Sequence, residues 1–294
     1  MIQLNGAGVA LITPFNKTGE VDYPSLKRLL ELVTNEGIDY LVVQGTTSEV
    51  PTLSGDEKRK ILDFILDFNN GRLPIVLGMG GYDTAALVRT IRSTDLNGVD
   101  AILTVAPYYS KPQQGGLYAH YMAVADASPK PVVLYNVPGR TGVNIAASTT
   151  LKLAHDHRNI IAVKEASGNM AQIMEIIKNK PEGFSVISGD DLLTLPIMSL
   201  GAVGVISVAG NACPGLMASL IKECLKGDYR AAAKIHYRLT DFMTSIFMDG
   251  SPAGIKAALH AMGLCDNILR LPLVSVKDEV YNLISEKITA LRAE

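Results

Sequence analysis

Short β-rich apolar runs recur along the first two thirds of this chain, at 8–13, 40–44, 75–78, 101–105, 132–136, 160–165, 184–188 and 204–207. Each is four to six residues long and is closed by Gly, Pro, Asn, Ser or Thr. Continuous apolar runs of that length suit strands buried on both faces, the situation of parallel strands covered by helices. The segments between them carry helical spacing. Leu26, Leu29, Leu30 and Val33 share one helical face, and Ile61, Leu62, Ile65, Leu66 and Phe68 form a comparable stripe in 56–68, with Ser54 as its N-cap. The alternation continues through 84–97, 116–127, 148–155, 170–177 and 191–200. A strand every 20 to 35 residues is the size of a repeated βα unit.

Eight such units predict an α/β fold of the (β/α)8 TIM-barrel type, in which a closed ring of parallel strands is wrapped by helices. The alternative is an open doubly wound sheet. Its dinucleotide signature, G-x-G-x-x-G after the first strand, is missing, because that strand runs into Thr13-Pro14-Phe15. The Gly-rich stretch Gly78-Met79-Gly80-Gly81 follows the third strand and reads as a tight βα turn rather than a phosphate cradle. After Ala209 the rhythm changes to helical patterns only, at 216–225, 229–247, 251–262 and 277–292. The expected division is therefore a catalytic barrel over 1–225 and a C-terminal helical region over 226–294.

Composition removes several function classes. Twenty-seven Lys and Arg against 29 Asp and Glu leave a net charge of -2 and no Trp is present, which opposes a nucleic-acid binder. With 48% hydrophobic residues the chain is globular rather than disordered. No uninterrupted apolar run is long enough for a membrane span, and the first 20 residues lack the basic start of a signal peptide. Cys213, Cys224 and Cys265 show no C-x-x-C spacing, which fits packing roles and a reducing cytoplasm. The densest His cluster, His155-Asp156-His157, lies at a helix end and reads as solvated, so no metal site is expected.

Barrel chemistry sits at the C-terminal ends of the strands. On strand six, Ile161 and Val163 are expected to face the helices and Ala162, Lys164 and Ala166 the barrel interior. A lysine there is either an amine whose charged form is disfavoured, poised to attack a carbonyl, or a structural group paired with a carboxylate. Pattern alone leaves both open. Tyr135, inward-facing on strand five, is either a proton shuttle beside that amine or a core phenol. Arg140 follows in a loop where a guanidinium could bind a substrate carboxylate or simply face solvent. The second strand ends in Gly45-Thr46-Thr47-Ser48-Glu49, a turn able to hold a carboxylate, and the fourth ends in Pro107-Tyr108-Tyr109-Ser110.

GTTSE at 45–49, APYYSKP at 106–112, YNVPGRTG at 135–142, AVKEASG at 162–168, SGDD at 188–191 and GVISVAGN at 204–211, in this order, closely resemble the dihydrodipicolinate synthase family. This family belongs to the pyruvate-dependent class I aldolases, which also include N-acetylneuraminate lyase. The resemblance extends to SPAGIKAALHAMG at 251–263. It implies a lyase of lysine and diaminopimelate biosynthesis that joins pyruvate to L-aspartate-4-semialdehyde. Lys164 would form the Schiff base, with no other cofactor. Tyr135, Thr46 and Tyr109 would relay protons, Tyr109 serving a neighbouring subunit of a homotetramer. Thr47 would hold the pyruvate carboxylate, Arg140 the semialdehyde carboxylate, and Gly189 and Ile206 would line the imine pocket. Arg140 separates this sequence from sialic-acid lyases, which lack it. A 2-keto-3-deoxy acid aldolase and a non-catalytic binding barrel are the competing readings. Two departures from the family pattern stand out. Ser48 replaces a glycine, and Gly55, Lys58, Tyr82 and Ala86 replace the residues with which lysine-inhibited relatives bind that ligand, so inhibition by lysine is expected to be weak.

Overall fold

The structure, a computed structural model, describes residues 4–293. Eight parallel strands close into a barrel in sequential order. They are β1 (Gly6–Ala10), β2 (Tyr40–Val43), β3 (Ile75–Gly78), β4 (Ala101–Val105), β5 (Val132–Asn136), β6 (Ile160–Glu165), β7 (Ser185–Ser188) and β8 (Gly204–Ser207). The helices are α1 (Tyr23–Asn35), α2 (Gly55–Asn69), α3 (Thr84–Ser93), α4 (Gln114–Ala127), α5 (Pro138–Thr141), α6 (Ala147–Asp156), α7 (Met170–Asn179), α8 (Thr194–Ser199), α9 (Pro214–Leu225), α10 (Tyr229–Ser245), α11 (Ala253–Ala261) and α12 (Asp278–Ala293). The last three form a helical appendage: α10 packs on α8, α9 and α12, and α11 packs on α12. No helix among the described residues is long and apolar enough to cross a membrane.

Two apolar layers result from strand alternation. The outer one lies between strands and helices, and the inner one fills the barrel with Tyr40, Val42, Val76, Leu103, Val133 and Ile187 among others. Barrel closure at β1 needs a glycine. A Cβ on Gly8 would lie 2.2 Å from the Tyr40 ring, whose hydroxyl donates to Val205 O at 3.1 Å.

Four expectations shift. The first strand ends at Ala10, not at 13, because the chain leaves the ring while staying buried: Ile12 N–H is taken by the Asn211 side chain at 3.2 Å. The third helix stops at Ser93, where Thr94 turns extended and its hydroxyl donates to Thr90 O at 2.7 Å. The eighth begins at Thr194, because the buried Asp191 carboxylate instead accepts the N–H groups of Val208 and Ala209. Ile161 joins the inner cluster with Ala162 rather than facing helices, because the β5–β6 register slips between Val132 and Val133. Beyond the slip, Val163 lies in the outer layer and Lys164 stands opposite Tyr135.

Candidate active site

Lys164 is 5% exposed, and its Nζ lies 4.3 Å from the centroid of the Tyr135 ring. Among the described residues no carboxylate pairs with this amine. The structural alternative for a buried lysine, an ion pair at the rim, is therefore not what this position offers. Gly189, the residue after β7, borders the lysine. Its N–H donates to Glu165 O at 2.7 Å, and a Cβ there would lie 2.8 Å from Ala166 Cβ and 3.0 Å from both Cγ and Cε of Lys164. Glycine thus leaves free the space alongside the lysine stem. Ile206, 1% exposed, shares the inner cluster with Tyr135, Ala162 and Ile187.

The next residue, Glu165, points away from Lys164 and is fully buried. It accepts hydrogen bonds from Asn136, Ser167 and Gln172. Burial pushes its carboxyl up from the ordinary range, and these three donors oppose that rise. Asn136 also holds Asn144 and the Ile145 N–H, so the network ties the ends of β5 and β6 to the loop beyond. Glu165, Ser167 and Asn136 lie inside the AVKEASG and YNVPGRTG motifs, but the sequence assigned no role to them or to Gln172.

The turn after β2 is a short 3-10 helix over Thr46–Ser48, ended by Glu49 in a left-handed conformation at φ 54°. Ser48 is not among the positive-φ residues, so the family's glycine is not required there. Its hydroxyl donates to Leu11 O at 2.6 Å, and its carbonyl accepts from Thr13 Oγ1 at 2.9 Å. The serine therefore anchors the turn to the segment after β1.

Thr46, Tyr135 and Arg140 line one cavity of about 450 Å³. Arg140 sits on α5, a four-residue helix where the sequence suggested a loop, and its Nη2 donates to Ser251 O at 3.3 Å. Ser251, Pro252, Pro272 and Leu273 from the C-terminal region complete one wall. None of these four was singled out individually, although the 251–263 motif pointed to the region. Thr47 is buried and, like Lys164, Gly189 and Ile206, does not line this cavity. Tyr109 stands apart from the others: it is 91% exposed and holds φ 70°, while its neighbour Tyr108 lines the cavity and packs edge-on to Tyr82 at 5.4 Å.

Gly55, Lys58, Tyr82 and Ala86 come together in an adjoining cavity of about 710 Å³. Two carboxylates also line it, but Asp83 caps α3 through the Ala86 N–H and Asp95 faces Arg59 at 3.7 Å. Among the described residues no group of three or more His, Cys, Asp and Glu could hold a metal ion. In the His155–His157 cluster, Asp156 accepts from Tyr118 and Lys152, and His157 faces Asp126 at 3.1 Å.

Along nearly its whole length the chain is similar to proteins of one family. The chain is 52% identical, over all of its length and 98% of the relative's, to the 4-hydroxy-tetrahydrodipicolinate synthase of Phocaeicola vulgatus. It is 51% identical, over 99% of its length and 98% of the relative's, to the enzyme of that name from Parabacteroides distasonis. The crystal structure of dihydrodipicolinate synthase from Aquifex aeolicus superposes with a TM-score of 0.95 at 43% identity, covering 98% of both chains. The family model of the dihydrodipicolinate synthetases matches residues 3–291. A (β/α)8 barrel with a lysine at the mouth of its sixth strand, matched end to end by these relatives, belongs to the dihydrodipicolinate synthetase family of lyase-type, class I aldolase enzymes.

Proposed function

We propose that this chain condenses pyruvate with L-aspartate-4-semialdehyde to give 4-hydroxy-tetrahydrodipicolinate through an imine on Lys164. The observation that carries the reading is a buried amine without a paired carboxylate, 4.3 Å from the Tyr135 ring, at the strand end where barrel chemistry resides. Lys164 Nζ attacks the pyruvate ketone, and loss of water leaves a protonated imine. That cation draws electrons from the adjacent methyl, which gives up a proton and becomes an enamine. The enamine carbon attacks the aldehyde, whose oxygen takes a proton and becomes the 4-hydroxyl. The amino group of the same substrate then attacks the imine carbon, closes the ring and expels the Lys164 amine. The electron sink is assembled from the chain's own amine and the substrate's carbonyl, so these steps call for no cofactor.

Tyr135 is the group placed to carry protons to and from the amine, with Thr46 and Tyr109 extending the relay. Thr47 and its turn hold the pyruvate carboxylate, Arg140 holds the semialdehyde carboxylate by paired hydrogen bonds, and Gly189 and Ile206 shape the imine pocket. Tyr109, exposed and outside its own cavity, serves a second copy, in a homotetramer built from dimers. Three buried, unpaired cysteines suit a reducing cytoplasm. The test is product analysis with pyruvate and a panel of aldehydes. Turnover with aspartate semialdehyde far above that with sugar aldehydes supports the reading, and preference for a sugar aldehyde overturns it.

A further inference from the structure

Lys256 on α11 is fully buried, and its amine meets the equally buried carboxylate of Glu49. The same amine donates to Ile268 O at 2.8 Å and lies 4.1 Å above the Phe15 ring. The second Glu49 oxygen accepts the Arg270 N–H at 3.0 Å. Arg270 continues the connection: its guanidinium pairs with Glu57, donates to Thr52 O at 3.0 Å and stacks 4.3 Å over Phe15. Burial pushes the Lys256 amine down, and the Glu49 charge pushes it back up.

Glu49 is not a remote residue. It ends the 3-10 turn that begins at Thr46, its N–H donates to Thr46 O at 3.2 Å, and it holds a left-handed backbone. Such a backbone is uncommon for a residue other than glycine and persists when its surroundings over-determine it. The Lys256 amine and the Arg270 N–H supply that constraint, one on each carboxylate oxygen. A pair of buried charges is weak as a source of stability but strong as a fixed register.

We propose that Lys256 is a positioning residue: by clamping Glu49 it sets where the Thr46–Thr47 turn stands against Tyr135 and Lys164, so the C-terminal helical region completes the active site. The inference rests on the Lys164 imine reading above. It is tested in the full-length chain with Lys256→Met, Glu49→Gln and the charge-free double variant Glu49→Leu/Lys256→Met. Each is measured for Tm, for kcat and KM with pyruvate, and for borohydride trapping of pyruvate on Lys164. Lys256→Met is expected to lose kcat on the order of 100-fold per folded chain. Its KM for pyruvate rises, while trapping at saturating pyruvate persists. Glu49→Gln, whose amide can accept at only one atom, loses kcat in the same direction. The double variant regains Tm without regaining kcat. Unchanged kcat per folded chain in either single variant, or kcat that returns together with Tm in the double variant, overturns the proposal. If Lys256→Met does not fold, Glu49→Gln and the double variant decide by the same criteria. A wild-type chain that traps no pyruvate overturns the imine reading and this inference with it, whereas normal trapping with unchanged variants overturns this inference alone.

Discussion

Gly189→Ala places one methyl where the Lys164 stem runs. The new carbon would meet Ala166 Cβ at 2.8 Å and the Lys164 Cγ and Cε at 3.0 Å. Carbon atoms rest at about 3.5–4.0 Å, so relief requires about 0.5–1 Å of movement. Two of the three contacts are with the flexible Lys164 side chain, whereas Ala166 Cβ moves only with its backbone, which directly follows β6 and so is tethered to a strand held between β5 and β7. Moving the lysine side chain relieves two of the contacts, and the third needs a small backbone shift at Ala166 or residue 189. Overpacking of this kind costs about 1–3 kcal/mol, which lowers Tm by several degrees. A displacement near 1 Å at a reacting group costs up to about 100-fold in rate. We expect Gly189→Ala to fold, to melt slightly earlier, and to form the pyruvate adduct about 10- to 100-fold more slowly at subsaturating pyruvate. The assay is intact-protein mass after timed borohydride quenching. Gly115→Ala is the control, since a Cβ at Gly115 meets nothing within 4 Å. Trapping by Gly189→Ala at the wild-type rate would refute the reasoning, because the site would then not need the space this glycine leaves.

Three further outcomes follow from other parts of the structure. Arg140→Ala should raise KM for the semialdehyde by about 10-fold or more while pyruvate trapping stays unchanged, since one charge-assisted contact is removed on the second substrate only. Burial pushes His120 down from 6.5 to about 4, so the unfolded chain takes up its proton first as pH falls. Stability that this group contributes above pH 6.5 is therefore lost between 6.5 and about 4, on the order of 3 kcal/mol, and His120→Gln should flatten the Tm-versus-pH curve in that window. Initial rates titrated with lysine should show weak inhibition, because Asp83 and Asp95 beside the Gly55–Lys58–Tyr82–Ala86 cavity are already engaged. Strong inhibition at low lysine would show that another acceptor exists there.

The barrel was legible because buried parallel strands leave continuous apolar runs and helices leave a 3.6-residue stripe. β3, β4, β5, β6 and β8 begin and end where those runs do. Lys164 and Tyr135 were legible for the same reason, since alternation along β5 and β6 sets which way each points. Ile161 was not, because a register slip between two strands is a property of their pairing and leaves no trace in either strand alone. A four-residue helix such as α5 is about one turn, too short for a 3.6-residue stripe to repeat. The clamp on the Thr46 turn joins Glu49 to Lys256 across most of the chain, and neither residue's neighbours in sequence announce the other. Residues such as Ser251 and Pro272 became part of the cavity through the packing of α10–α12, which periodicity does not orient.

The proposed chemistry turns on Lys164 as the nucleophile. Incubation with pyruvate and borohydride, followed by peptide mass mapping, tests it directly. We expect a single reduced pyruvate unit, carried by the peptide containing Lys164 and absent from Lys164→Ala. An adduct on another lysine, or none at all in folded wild-type protein, would contradict the account.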